Sequence, residues 1–539
     1  HAADLRSLRG GPGEEVMNAT LILAVGTAAL VPAALYAPRA DQVARTGYRG
    51  TAVPRDTGGK FYTSTDGTPG GDGSIAHPWD IVTALAQPST IVPPGSTIWV
   101  RGGTYGTGTT IFHSSLVGTP SAPIVVRQYP GERAIINGWL QIGCCDQDPH
   151  PDQGAYVWFW GLEFASSITD RTGAPSGPPD YGASAILNAV DTWAPGTRLI
   201  NLIIHDTRQG VGFWKEATNS EVYGCLIYNN GFQASDRGHG HGIYVQNNNG
   251  TKLLAENIIF DQFGVGIHAY GTDQAYIRNI TAEGNIVFNN GSVSTGGQND
   301  DNILFASGTG LQNIVVRNNY TYHTPDNDIG YSRVGWQFDQ TNDNATVTNN
   351  YWIGGNLVIM LNHWNSAVFT GNTVYSKTQL LVYLDFLSTQ NPAGYTWDGN
   401  TYYGSGRFDY AQNETTWQGW TGNGIDRNSQ FTSGRPTGTW IFARPNRYEP
   451  GRGNIVIYNW GLTPTVSVDL SGILGPGTSY EIRDAENFFG PAVVTGTYNG
   501  SPVSIPMTNL KPAAPNGTFP VPPKETAPEL GAFVVLPKS

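Results

Sequence analysis

Three cysteines in 539 residues give no disulfide framework, which excludes a small cross-linked scaffold. Cys144 and Cys145 are neighbours and would bridge only under strain, while Cys225 lies in an apolar run as a small core residue. Charge is also sparse. Only 13% of residues are charged, and 30 Lys+Arg against 42 Asp+Glu leave a net charge of −12. Phosphate backbones demand a basic stripe, so nucleic acid is excluded as a partner. No phosphate loop, zinc-ligand spacing or nucleophile elbow occurs. Long apolar runs are confined to Thr20–Ala37, TLILAVGTAALVPAALYA, with Arg6 and Arg9 upstream. That run reads as a secretory leader, the alternative being an uncleaved anchor interrupted by Pro32. The expectation is a secreted protein whose first 40 residues lie outside the fold and whose mature chain has no membrane span. What is abundant excludes disorder: 15 Trp, 26 Tyr, 20 Phe and 69 Gly. Many turns, many aromatics and little charge indicate an all-β chain with many corners.

A short motif recurs through the middle of the chain. NLIIH from Asn201, CLIYN from Cys225, NIIFD from Asn257 and NIVFN from Asn285 are followed by NYTYH from Asn319, NYWIG from Asn350, NTVYS from Asn372 and NTYYG from Asn400. The starts lie 22 to 34 residues apart, so the loops vary while the strand core repeats. A second strand follows most of them: GFWKE, GIYVQ, GIHAY, NILFA and GWQFD. Short strands between Gly and Asn corners predict a parallel β-solenoid, in which stacked rungs share one core. Asn tolerates the left-handed corner, and stacked amides can bond from rung to rung. Cys225 interrupts that file.

These segments, together with the opening FYTSTDGTPGGDGSIAHPWDIVTALAQ, resemble the right-handed parallel β-helix superfamily that includes pectate lyases and polygalacturonases. The resemblance covers about Lys60 to Arg435. It implies a β-helix over 60–435 with a capping helix near Trp79–Ala86. After Arg435, alternating runs such as NIVIYNW and TVSVDL predict a small antiparallel β-sandwich over 436–539.

Alternation along the second strands assigns faces. Levelling their glycines with Asn302 puts Phe213, Ile243, Ile267, Ile303 and Trp336 in the core. Trp214, Tyr244, His268, Leu304 and Gln337 then form an outward file, with Glu216, Gln246, Tyr270, Ala306 and Asp339 beside it. Tyr383 and Asp385, then His363 and Trp364, extend the outer sheet. Aromatic rings among polar groups suit sugar rings, so a polysaccharide or oligosaccharide is the expected partner. The corner before this strand carries His239 and His241 and, two rungs on, Asp300 and Asp301, with Arg333 nearby.

Glycoside hydrolysis needs two carboxyl groups, and rung spacing supplies the separation. Asp300 or Asp301 with Asp339 is the expected pair, with His268 and His241 tuning the proton. On this reading Asp301→Asn abolishes turnover and leaves the fold intact. Trp214, Glu216, His239, Tyr244, Gln246, Tyr270, Arg333, Gln337, Tyr383 and Asp385 are the expected substrate contacts. Asp-Asp at 300–301 and Gly-His-Gly at 238–240 or 240–242 resemble polygalacturonase motifs, in reversed order and without that family's other two motifs. Two alternatives stay open: a lyase or epimerase acting on uronic acids, with Tyr244, His268, Arg237 and Arg333 as the working groups, and a non-catalytic glycan-binding surface protein. No cofactor is required by any of these readings; calcium is the ion that Asp300 and Asp301 would suit.

Overall fold

The computed structural model describes residues 54, 56–145, 148–150, 153–175, 184–296, 300–324, 330–336 and 340–538. The run Thr20–Ala37, Gln337, Asp339 and the side chains of Cys144 and Cys145 lie outside the described residues. The short β-prone runs form three walls of a parallel coil. The first wall runs from Gly59–Thr63 to Thr396–Asp398. The second runs from Glu163–Ala165 through Leu226–Tyr228 and Ile258–Phe260 to Gln430–Ser433. The third runs from the end of Ala134–Ile142 and Val190–Thr192 through Ile243–Val245 and Ile267–Gly271 to Phe408–Tyr410. Neighbouring rungs pair in parallel on every wall. In one turn, Val222, Ile227 and Val245 point inward from the three walls into a single buried core.

The amide file is present at the corner between the first and second walls. Asn257 donates to Asn285 at 2.9 Å, Asn285 to Asn319 at 2.9 Å, Asn319 to Asn350 at 2.9 Å, Asn350 to Asn372 at 3.0 Å and Asn372 to Asn400 at 3.2 Å. Asn201 is not its first member. Ile203 pairs with Leu226, so Leu202 stands level with Cys225, and Asn201 takes the left-handed position that Gly224 takes one rung later. A second file at the next corner runs Asn230, Gln262, Asn290 and Asn302. Asn319→Ala would leave the amides of Asn285 and the carboxamide oxygen of Asn350 short of partners. The expected loss is about 1–3 kcal/mol for each group left unpaired, read as a lower denaturation midpoint.

The helix at the N-terminal end is shorter than expected, Ile81–Leu85, with the Asp80 carboxylate accepting from the Thr83 amide at 2.9 Å. It buries Ile81, Ala84 and Leu85 in the core. After Arg435 the chain forms an antiparallel sheet of Thr439–Pro445, Gly453–Asn459, Leu530–Pro537, Ser479–Asp484 and Val494–Thr497. Along Gly453–Asn459, Ile455 and Ile457 face Val466 and Val468 of a smaller sheet. Val456 and Tyr458 face the other way, onto Tyr228, Phe260, Phe288 and Tyr320 of the second wall. The second wall is therefore covered, and a groove must lie elsewhere.

Two registers differ from the levelling of glycines. Gly212 pairs with Tyr244, two residues beyond Gly242; face parity survives, and Phe213 is buried as expected. Further on, a register shift between Asp301 and Ile303 sets Arg333 opposite Leu304 and Val334 opposite Phe305. The strand is Tyr331–Val334, so Gly335 comes level with Ala306 and not with Asn302. Trp336 is accordingly half-buried on the outside, 4.5 Å from the Arg333 guanidinium, not a core residue. Trp364 is the reverse case: fully buried, donating its indole N–H to the Val334 carbonyl at 3.1 Å.

Candidate active site

The outward file on the third wall reads Gln141, Asp191, Gly212, Tyr244, His268, Leu304, Arg333, Met360, Tyr383 and Asp409. Trp214 stands in the next file with Gln246 and Tyr270, one position along from where it was expected. Gly212 has no side chain, which opens space between Asp191 and Tyr244. The Trp214 ring fills one side of it, stacked on Trp193 at 6.0 Å and tilted against Tyr244 at 5.5 Å. Beneath it Lys252 is buried, its ammonium donating to the carbonyls of Phe213 at 2.9 Å, Gln246 at 2.7 Å and also Trp214. Burial pushes the Lys252 amine well below its usual range.

This space is a cleft of about 270 Å³ lined by Trp139, Asn188, Asp191, Arg208, Gln209, Trp214, Phe232, His239, Gly240, His241 and Tyr244. Among the described residues, Asp191 is the one carboxylate in that lining. Both of its oxygens accept hydrogen bonds, from the Trp214 indole at 3.1 Å and the Asn188 amide at 2.8 Å. The glycines of GHGHG let the histidines approach closely. At Gly240, where φ is +106°, an added Cβ would lie 2.5 Å from the Arg208 carbonyl oxygen and from the Gly231 Cα. His239 stacks on Phe232 at 5.1 Å and bonds Asp236 at 2.9 Å. His241 bonds Gln209 at 3.1 Å and sits 4.5 Å from the His268 ring and 5.4 Å from the Tyr244 ring. His268 in turn lies 5.1 Å from Tyr244 and 5.5 Å from Tyr270.

The electrostatics keep these imidazoles neutral. Burial pushes His241 well below the ordinary histidine range, and His268 and the guanidiniums of Arg237 and Arg208 push the same way. His268 is lowered to about 3 by burial and by Arg237 and Arg333. Burial also lowers His239, against a hydrogen bond with Asp236. The Tyr244 phenol moves oppositely, up to about 12, because burial disfavours phenolate. The cleft thus holds neutral imidazole, with one basic ring nitrogen, beside proton-bearing phenol under a positive field.

Other expected site residues are placed elsewhere. Asp301 is fully buried and held by the Arg333 guanidinium through two hydrogen bonds, one of 2.7 Å. Asp300 is buried as well, with Oδ2 accepting from the Gly330 amide at 2.8 Å; burial, then Asp301, raises it to about 6. Neither Asp300, Asp301 nor Arg333 lines the cleft. Gln246 donates to the Tyr270 carbonyl at 3.2 Å. Glu216 forms a 3.7 Å surface pair with Lys215. Tyr383 follows His268 by four rungs, about 19 Å along the axis. Asp385 there accepts from Gln412 at 3.0 Å and lies 3.6 Å from His363.

Asn188, Asp191, Arg208, Gln209 and Trp139 were not foreseen. The signal for Asp191 was available: in VDTW the alternation puts Val190 and Thr192 inward and Asp191 and Trp193 outward, one rung above GFWKE. Arg208 and Gln209 occupy the corner that RGHGHG fills on the following rung, with Gln209 level with His241.

No family model matches the chain. Over 78 residues it is 41% identical to pectate lyase PEL9 of Emericella nidulans, a stretch that makes up 14% of this chain and 18% of that protein. The chain therefore matches less than a fifth of that relative's length. Among solved structures it is similar to pectate lyase Pel9A, with 14% identity and a TM-score of 0.38 over 70% of this chain and 79% of the other. XylC in complex with xylose gives 11% and 0.43 over 88% and 100%. A mannuronic acid specific polysaccharide family 6 lyase from human gut microbiota gives 12% and 0.35 over 70% and 92%. Among the described residues, no helix is long and apolar enough to cross a membrane. The chain is a parallel β-helix that resembles pectate-lyase-like proteins, with one segment similar in sequence to a pectate lyase.

Proposed function

We propose that the cleft cleaves a uronic-acid polysaccharide by β-elimination, which reverses the order of the two enzymatic readings. The observation that carries this is the lining itself: Arg208, neutral His241 and protonated Tyr244, with Asp191 as the one carboxylate among its described residues, already hydrogen-bonded at both oxygens. Inverting or retaining hydrolysis asks for two opposed carboxyl groups at the scissile bond. Elimination asks instead for positive charge on the uronate carboxylate, a base at C5 and an acid at the leaving oxygen. Arg208 faces the carboxylate. His241 takes the C5 proton, the C4–O bond breaks as C4=C5 forms, and Tyr244 gives its proton to the departing glycosidic oxygen. Imidazolium and phenolate then exchange protons with water. His268 positions His241 at 4.5 Å and shares its positive surroundings. Trp139 and Trp214 offer flat apolar faces to the sugar rings. The 78-residue similarity to a pectate lyase accords with an acidic polymer as substrate.

Burial, reinforced by His268 and the field of the nearby guanidiniums, makes the free imidazole a weak base. A carboxylate arriving against Arg208 cancels part of that field and raises His241 basicity when substrate is in place. In the free enzyme the lowered His241 stays unprotonated as pH falls, so the acid limb of kcat/KM is expected well below 6.5, the pKa of an unperturbed imidazole. A pH–rate profile with its acid limb at that ordinary value would contradict this. The reaction class is tested on a panel of pectate, alginate and neutral glycans. New reducing ends accompanied by ultraviolet absorbance of the unsaturated uronate support elimination, whereas reducing ends without absorbance point to hydrolysis. Binding with neither signal leaves a glycan-binding surface.

A further inference from the structure

The C-terminal sheet meets the second wall around a group of buried carboxylates that the cleft does not use. Asp484 ends the strand Ser479–Asp484, Glu486 lies in the single turn that follows, and Glu525 lies in the proline-rich connector. One oxygen from each lies within 4.8 Å of the others. One oxygen of each acid accepts a hydrogen bond. Asp484 accepts from the Glu486 amide at 3.1 Å, Glu486 from the Thr526 hydroxyl at 2.8 Å, and Glu525 from the Ala527 amide at 3.2 Å. That leaves Asp484 Oδ2, Glu486 Oε1 and Glu525 Oε2 buried with no donor from outside the cluster, Glu486 and Glu525 lying within hydrogen-bond reach of one another. Asp484 is 4% exposed and Glu486 2%. Asp261, just past the second-wall strand Ile258–Phe260, adds another unpartnered buried oxygen, Oδ2. The charged groups acting on Asp484 and on Asp261 are carboxylates, and burial together with Glu525 raises each to about 8.

We propose that Asp484, Glu486 and Glu525 form a calcium site in the C-terminal part of the chain, close enough to Asp261 of the second wall for their charges to act on one another. Ca²⁺ takes hard oxygen ligands about 2.3–2.6 Å from its centre, so oxygens sharing one ion lie no more than about 5.2 Å apart. One carboxylate oxygen from each of the three acids, within 4.8 Å of the others, meets that condition. The alternative is buried Asp484, Glu486 and Asp261 beside half-buried Glu525, with no opposing charge among the described residues acting on them, which costs free energy unless protons neutralise them. Mg²⁺ keeps several waters and is a poorer match to a dry set of protein carboxylates. This site is independent of the cleft and of the chemistry assigned there.

The test uses the full chain, dialysed against EDTA and titrated with CaCl₂. At a hundredfold excess over Kd, Tm is expected to rise by about 2–3 °C. Glu486→Gln and Asp484→Asn are expected to abolish that rise. Hydrogen exchange on the wild-type chain gives a readout that needs no variant: Ca²⁺ should protect residues 484–487 and 521–530. No calcium-dependent Tm shift overturns the proposal, as does protection confined to other segments. So does a Glu486→Gln chain that is stabilised in EDTA yet keeps the full calcium response, the pattern of a proton-neutralised cluster with calcium bound elsewhere.

Discussion

Replacing His241 with alanine is expected to lower kcat by about 10²–10⁴-fold, the usual contribution of a general base, with Tm little changed. The side chain makes one hydrogen bond, to Gln209, and lines the cleft, so its removal costs the fold little. Tyr244→Phe should give a loss of similar kind with a different signature. A phenol that protonates the leaving oxygen matters less when that oxygen leaves easily, so substrates with an activated aglycone should recover much of the Tyr244→Phe rate and none of the His241→Ala rate. If both variants recover equally, the division of proton roles is wrong. His268→Ala, acting through His241, should shift the pH profile more than it lowers the plateau.

Asp301→Asn is expected to destabilise the chain by about 3–5 kcal/mol, the cost of breaking a buried ion pair from one side. From sequence this substitution reads as a catalytic knock-out that spares the fold. The structure changes its meaning, because Asp301 is fully buried and both its oxygens hold the Arg333 guanidinium. Removing the charge leaves Arg333 unpaired between Tyr331 and Trp336, whose rings lie 5.0 and 4.5 Å from it. The loss should appear as a lower urea midpoint. Pairing Asp301→Leu with Arg333→Met should recover much of it, since a buried ion pair often exchanges for apolar groups at little cost. A single Asp301→Asn chain with unchanged midpoint and no turnover would return Asp301 to the chemistry.

The coil was legible because its physics is periodic. Inward positions must be apolar and the corner amides must stack, so Asn257, Asn285, Asn319 and their successors announce themselves by residue type, although the left-handed conformation expected of them falls on the residue before each: Glu256, Gly284, Asn318, Asn349, Gly371 and Gly399. Register was less legible, because loops of different length separate equivalent strands and only local marks align them. Asn201 resembles a ladder residue but holds the left-handed corner, a role that Gly224 fills without a side chain. At Asp301 the chain inserts an extra residue, Asn302, whose amide joins the second corner file, bonding Asn290 at 3.0 Å and the Tyr322 carbonyl at 3.1 Å. That insertion moves Arg333 onto the outer file and Trp336 out of the core, and no spacing rule in the sequence reports it. The site was half legible for a similar reason. His239, His241, Tyr244 and Trp214 stand beside recognisable strands, whereas Arg208 and Gln209 come from a corner whose partner rung had to be known first. The buried acids of the C-terminal interface come from segments more than 200 residues apart and meet only when the sheet docks.

The most direct measurement is cleavage of polygalacturonate or alginate in heavy-oxygen water, followed by mass analysis of the oligosaccharides. Elimination consumes no water, so the account predicts unsaturated products without heavy oxygen from wild-type chain and almost none from His241→Ala. Saturated products carrying one heavy oxygen for each bond cut would show hydrolysis and contradict the assignment of the cleft.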